Sequence, residues 1–345
     1  MNRNFFERTP NDLGKKQVPV WFMRQAGRYH RHYQNLKKTH TFMELCKQPE
    51  LALEVTLGPI DEFKFDAAIL FSDLLFPLEQ LGMGLEYNPG PKLSWLLDSP
   101  AATSKLKEIE AAREFYDFQG KACSLLREHL PPQKTLLGFV GAPFTLYTYA
   151  VEGSHAGALV NSKKGLIDGR FTDFYQVLLP NLMEEMSIQA ENGADAICLF
   201  DTACGELSPK DYHQFVIPKI KEITKAFKKI HPTKKIIYYS RNTHFSHLDA
   251  IEDRNIDVLG VDWRHNLPEV FDRYSDQYMI QGNFDPAWLH LPWSHLESHL
   301  NDLWDSMREQ NLDRWICGLG HGVLQHTPEE NVRLAVEFIH QRFQY

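Results

Sequence analysis

Val18-Pro19-Val20-Trp21-Phe22-Met23-Arg24-Gln25-Ala26-Gly27-Arg28-Tyr29 opens as a short apolar run with β-branched and aromatic residues and closes on two arginines four positions apart. The first half, residues 18–23, reads as a buried strand. The second half puts two guanidiniums, split by small residues, where that strand should end, an arrangement suited to gripping an anion. Its charge context sharpens the reading, because isolated surface arginines are ordinary. From Met1 to Lys38 nine Lys and Arg stand against two acids, Glu7 and Asp12, a local balance of +7 in a chain of net charge −8.

Working outward, comparable runs recur at residues 67–71, 135–140, 196–200, 235–239, 258–261, 278–280 and 314–317, which makes eight with the first. The material between them has helical periodicity. Phe174, Val177, Leu178, Leu182, Met186 and Ala190 recur at helical spacing before Gly193 supplies a stop. Tyr212, Phe215, Ile220, Ile223, Phe227 and Ile230 repeat the pattern. The last helix is expected to open on a Thr327 cap, with Pro328 and a capping-box Glu330, and to bury Val332, Val336, Ile339 and Phe343. Strands alternating with helices imply a parallel sheet, and eight of them in 345 residues favour a closed (β/α)8 TIM barrel over an open doubly wound sheet. No GxGxxG follows any run, which removes the main sign of a dinucleotide fold. Without a linker composition or an internal repeat, residues 1–345 are expected to form one domain, with extra helices in the longer connections.

Active sites of such barrels lie at the carboxyl ends of the strands. The residues just past each run are therefore the candidates: Arg24 and Arg28; Ser72 and Asp73; Gly141 to Pro143 and the aromatic stretch ending at Tyr149; Asp201 and Thr202; Ser240 and Arg241; Asp262 and Trp263; Gly282, Asn283 and Asp285; and Gly320, His321 and Gly322. Asp73 lies between apolar residues on both sides. A buried carboxylate needs a cation, donors or a ligand, and a cap or a salt bridge to one of the arginines would also satisfy it. His321, between glycines, can approach a ligand closely. Asp201 and Thr202 can equally cap the next helix.

Composition excludes several classes. No apolar run reaches the roughly 18 residues of a membrane span, and no signal-peptide pattern is present, so the expectation is a cytoplasmic enzyme. Five scattered cysteines without a CxxC fit reduced thiols. An acidic total without a long basic run argues against nucleic acid. The sixteen histidines include no HExxH, and no metal site is expected.

PVWFMRQAGRY, AAILFSDLLFPLEQLGMGLEY, GFVGAPFTLYTYAVEG, GVDW, IQGNFDP and GLGHGVL, in this order, resemble the uroporphyrinogen decarboxylase family of haem biosynthesis, over nearly the whole chain. The resemblance implies a TIM-barrel homodimer without metal or organic cofactor. It further implies that the small-molecule substrate, an octacarboxylate tetrapyrrole, loses CO2 from four acetate side chains to give coproporphyrinogen. The motif Arg24, Gln25, Ala26, Gly27, Arg28 would hold substrate carboxylates and Asp73 would face the pyrrole NH groups. Tyr149, Thr202 and His321 would complete the contacts, with Asp73, Arg24 and Tyr149 in catalytic roles. Departures from the family pattern are His30-Arg31-His32 after the first motif, Thr202 in place of Ser, Ser240-Arg241-Asn242 in place of Ser-Lys-Gly, and Gly318 in place of Asn. Two other readings compete. One is zinc-dependent methyl transfer on a related barrel, which needs a His-x-Cys pair where this chain has Tyr239-Ser240-Arg241. The other is a tetrapyrrole-binding protein without activity.

Overall fold

The computed structural model describes residues 6–8, 10, 14–88, 90–107, 112–155 and 157–345. Arg3 and Asp12 of the N-terminal charge count lie outside them. The strands are β1 (Ala67–Ile69), β2 (Leu85–Tyr87), β3 (Pro91–Leu93), β4 (Thr135–Gly141), β5 (Ala196–Asp201), β6 (Lys235–Ser240), β7 (Val258–Gly260), β8 (Met279–Phe284) and β9 (Trp315–Leu319). Seven of them make a sheet in the order β1-β4-β5-β6-β7-β8-β9, with every neighbouring pair parallel. Seven of the eight expected runs thus contain a strand. β2 and β3 form a separate antiparallel hairpin.

The sheet is curled. Ala67 and Ile69 of β1, Leu137 and Phe139 of β4, Ala196, Cys198 and Phe200 of β5, Ile237 and Tyr239 of β6, Val258 of β7, Met279 of β8 and Ile316 of β9 all join one buried cluster. Most of these are alternate residues along their strands, hence side chains of one face. In a flat sheet, strands spaced about 4.8 Å apart would leave β1 and β9 about 29 Å from each other, too far for one cluster. The opposite face packs on helices; Gln189 of the helix Arg170–Glu191 reaches back so that its amide pairs with both the N–H and the C=O of Phe139.

The first apolar run departs from expectation, because residues 18–23 form no regular strand and make a single parallel bridge, Val20 to Cys317. Pro19 has no N–H to offer a ladder, so only its C=O is used, by Cys317 N–H at 2.9 Å. Trp21 and Met23 still point into the inner cluster. Toward β1, Asp66 N–H donates to Val20 O, and Val20 N–H to the Asp66 carboxylate at 2.8 Å. The same aspartate device precedes β5 and β7: Asp195 accepts from Leu136 N–H of β4 at 2.8 Å, and Asp257 from Ile236 N–H of β6 at 2.9 Å.

The helix over residues 174–190 appears as Arg170–Glu191, and Gly193 follows with φ +116°, the left-handed backbone that a glycine stop allows. The 212–230 pattern is split into a π-helical turn, Tyr212–Val216, and a helix, Ile217–Ile230. The last helix is Glu329–Arg342 and buries Val332, Val336 and Ile339 as expected, but Thr327 does not cap it. Pro328 takes the cap position, and the Thr327 hydroxyl pairs with His290 at 3.1 Å. Among the described residues no helix is long and apolar enough to cross a membrane.

Candidate active site

The carboxyl ends of the strands carry the polar rim. Arg24 sits immediately after the first run with φ +60°, a left-handed conformation uncommon outside glycine. Its backbone is held there by Val323 N–H to Met23 O at 2.9 Å and Gln25 N–H to Phe22 O at 3.1 Å. Its side chain lies across Gly322. Arg24 keeps surface open to water, yet desolvation by the surrounding protein is the main influence drawing its pKa down. Tyr149 and Asp73 oppose that shift, while Arg28 and Arg241 add to it. These groups therefore converge on one recess, and an arginine still keeps its charge there.

The rest of the first motif divides. Arg28 is exposed and its charge bears on Tyr33. Gln25 is turned inward, its amide donating to Ala67 O at 3.0 Å, so it ties the first run to β1. Ala26 and Gly27 offer a ligand only backbone and small surface.

Asp73 follows β1. Leu75 N–H donates to its Oδ1 at 2.9 Å, and Tyr87 of the hairpin and Arg24 also favour its charged form. Burial outweighs all three and holds the carboxyl above its ordinary range. Behind it runs a buried relay: the Gln119 amide donates to Ser72 Oγ at 3.1 Å and to Glu185 Oε1 at 2.9 Å, and accepts from Gln189 at 2.9 Å. Burial, assisted by Asp73, pushes Glu185 up to about 8, against the single hydrogen bond from Gln119. Glu185 is thus neutral at pH 7. A carboxyl raised in the folded state costs stability as pH climbs from its ordinary 4.5 toward 8. Glu185→Gln should therefore match the native urea midpoint near pH 5 and exceed it increasingly toward pH 8; an equal loss at every pH would contradict this.

Tyr149 lies at the end of the helix Pro143–Glu152, and its hydroxyl pairs with His155 Nδ1. Burial, with Asp73 adding and Arg24 opposing, pushes the phenol up to about 12, so it stays protonated. His321 stacks on Tyr239 at 6.2 Å between ring centroids, and the Tyr239 hydroxyl donates to Gly320 O at 2.6 Å. Burial, then Arg24, Arg241, His155 and Arg264, lowers its pKa to about 3. The imidazole is neutral, with a buried Nδ1 that has no protein partner. Thr202 is partly open and donates its N–H to Thr145 Oγ1 at 2.8 Å. Neither it nor Asp201 caps a helix. Asp201 is buried instead, accepting from Thr145 and Tyr238 at 3.0 Å each, and burial raises it to about 6.

Arg28, Asp73, Tyr149 and His321 are thus brought together through Arg24, and Thr202 follows β5 at the same end of the sheet. Arg241, a candidate by its place just past a strand, joins them, as Arg24 and His321 both feel its charge, whereas Tyr87, His155 and Arg264 were not among the candidates. Arg264 lies just past a strand end and was open to the same inference; Tyr87 and His155 carry no such signal.

The donors for a zinc methyl-transfer site do not fit. Position 239–241 offers a phenol, a hydroxyl and a guanidinium, and Cys317 is buried in β9 with its thiol pKa raised by burial. Away from the recess, His30, Glu62 and Glu329 have ligand atoms within 4.8 Å of one another. Their carboxylates are already held, Glu62 by His30 at 2.8 Å and Arg333 at 2.7 Å, and Glu329 by Arg31 at 2.7 Å.

Comparison with known proteins gives the chain a family. Uroporphyrinogen decarboxylase of Geobacter sulfurreducens is 36% identical over 331 residues, covering 94% of each chain. That of Koribacter versatilis is 32% identical over 330 residues, covering 94% of this chain and 92% of the relative. Among solved structures, a methyltransferase from Methanosarcina mazei superposes with a TM-score of 0.74 at 17% identity, covering 97% of this chain and 95% of the other, a likeness of fold. Residues 4–342 match the profile of the family described as Uroporphyrinogen decarboxylase (URO-D), and the chain belongs to that family.

Proposed function

We propose that the protein is a carboxy-lyase that removes CO2 from the four acetate side chains of uroporphyrinogen III, giving coproporphyrinogen III, without a cofactor. The observation that carries the reading is a desolvated carboxylate, Asp73, that feels the charge of Arg24, whose guanidinium in turn feels those of Arg28 and Arg241. Guanidiniums suit a polycarboxylate, and charge-assisted hydrogen bonds to them contribute about 1.5–3 kcal/mol each.

The chemistry is dictated by the acetate. Breaking its C–CO2 bond leaves an electron pair that needs a sink, and a pyrrole protonated on a ring carbon accepts it. The exocyclic carbon then takes up a proton and becomes a methyl as the ring proton is released, so each turn consumes one proton and frees one CO2. Asp73, accepting from the pyrrole NH groups, would stabilise the cationic ring more than the neutral one, the condition for lowering the barrier. Tyr149, Thr202 and neutral His321 would orient the substrate, the last with its free Nδ1, and the main chain around Gln25, Ala26 and Gly27 would shape the mouth.

The proposal extends to architecture. Val20 stands to Asp66 as Leu136 and Ile236 stand to Asp195 and Asp257, and is bridged to β9 on its other side. This supports a single-domain (β/α)8 barrel in which the first run fills the eighth position. We assign it to the cytoplasm and to a homodimer by likeness to the family. The test of function is anaerobic incubation with uroporphyrinogen III, followed by chromatography of the oxidised porphyrins. Products with seven down to four carboxylates are expected; unchanged octacarboxylate would refute the proposal.

A further inference from the structure

We infer that Arg241, held by its main chain at the carboxyl ends of β5 and β6, is a further substrate-carboxylate contact that adds a third anchor for a polyacid. The inference rests on the decarboxylase function proposed for this recess. Arg28 bears on Tyr33, whereas Arg241 bears on His155 and His321, and Arg24 feels both arginines. Arg24 is thus within electrostatic reach of both Arg28 and Arg241, and Arg241 within reach of His155 and His321.

Arg241 is also held ready and unused. Its N–H donates to Asp201 O at 3.1 Å, and the next residue, Asn242, has φ +59° and donates its N–H to Asp262 Oδ2 at 2.7 Å. Gly205 packs so tightly under this turn that a Cβ there would lie 2.5 Å from the Asn242 carbonyl carbon and oxygen. A pinned backbone lowers the ordering cost of binding. The Nε of Arg241 is buried without a hydrogen-bond partner. The neighbouring Arg264 is different, since its guanidinium is already taken by Asp262 at 3.0 Å and lies over the Trp263 ring at 4.5 Å. Mutual repulsion among Arg24, Arg28 and Arg241 is relieved by an anion, and a molecule with carboxylates arranged around a ring can meet all three at once. The planar fork of arginine suits a carboxylate bidentately, which an ammonium cannot match.

The test compares the native enzyme, Arg241→Gln, Arg241→Lys, Arg28→Ala and the exposed Arg254→Gln. Each is titrated with uroporphyrin III, the oxidised octacarboxylate, and assayed anaerobically with uroporphyrinogen III at two salt concentrations. Arg241→Gln should weaken binding and raise KM about tenfold, with a shallower salt dependence, while leaving kcat within about twofold. Arg241→Lys should recover the salt dependence but only part of the affinity, and Arg254→Gln should change neither. Native binding in Arg241→Gln, alongside weakened binding in Arg28→Ala and normal turnover, overturns the inference and leaves the function standing. If the native enzyme neither binds nor converts the octacarboxylate, the function falls and the inference with it. A thermal melt of each variant guards against misfolding, and loss of affinity equal in Gln and Lys variants with lowered melting would overturn the contact role.

Discussion

Asp73→Asn should bind the polyacid with nearly native affinity and convert it about a hundred- to a thousandfold more slowly. Asparagine keeps the size of the side chain and the acceptor for Leu75 N–H, which donates to Asp73 Oδ1 at 2.9 Å. What it removes is a negative charge in a desolvated place, where a developing cation would feel it most. Because the substrate is neutral in its ring before protonation, the loss falls on turnover and not on capture. Single-turnover rates and equilibrium titration, run side by side, separate the two; undiminished kcat in this variant would sink the assigned role. The pH profile offers a second check. Burial holds the Asp73 carboxyl above its ordinary range, so activity that needs the carboxylate should fall at an acid limb lying above ordinary carboxylate values. That limb should vanish from the residual activity of the asparagine variant.

Gly322→Ala should cost about a hundredfold in turnover while leaving the folded protein intact. A Cβ at Gly322 would stand 2.7 Å from Arg24 Cγ and 3.1 Å from its Cβ, so swinging the end of the side chain cannot clear the overlap. The backbone of Arg24, already at φ +60° and tied through Met23 to Val323, has little room to yield. The guanidinium must move, and a misplaced anchor spoils the alignment of the reacting group. Steady-state rates with a circular-dichroism melt check the outcome; native rates would mean that Arg24 acts without needing its present seat.

Much of this was readable in the chain because a buried parallel strand leaves a compact apolar signature followed by its functional residue. Ala196–Asp201 and Lys235–Ser240 were found almost to the residue for that reason. The first run misled in one respect: its composition is that of a strand, but Pro19 breaks the alternation of donors and acceptors. Thr327 misled similarly, since tertiary pairing with His290 outcompeted the local cap. The hairpin that brings Tyr87 to Asp73 has strands of three residues, too short for periodicity to register. Gln25 looked like a ligand contact by its place in a motif, and only packing reveals that its Nε2 donates to Ala67 O while its Oε1 is left without a protein partner. The relay from Ser72 through Gln119 to Glu185 joins residues far apart in the chain, which no local pattern can announce.

The pairing of residues 16–23 with residues 317–345 has a consequence for biosynthesis. Lys16 and Val18 N–H donate to Tyr345 O and Phe343 O, Pro19 receives Cys317, and Met23 receives Val323. During translation Arg24 leaves the ribosome long before Gly322, across which it lies. A nascent chain therefore cannot seat Arg24 until the segment around Gly322 has emerged, and a product truncated before it would carry the basic motif without the means to aim it.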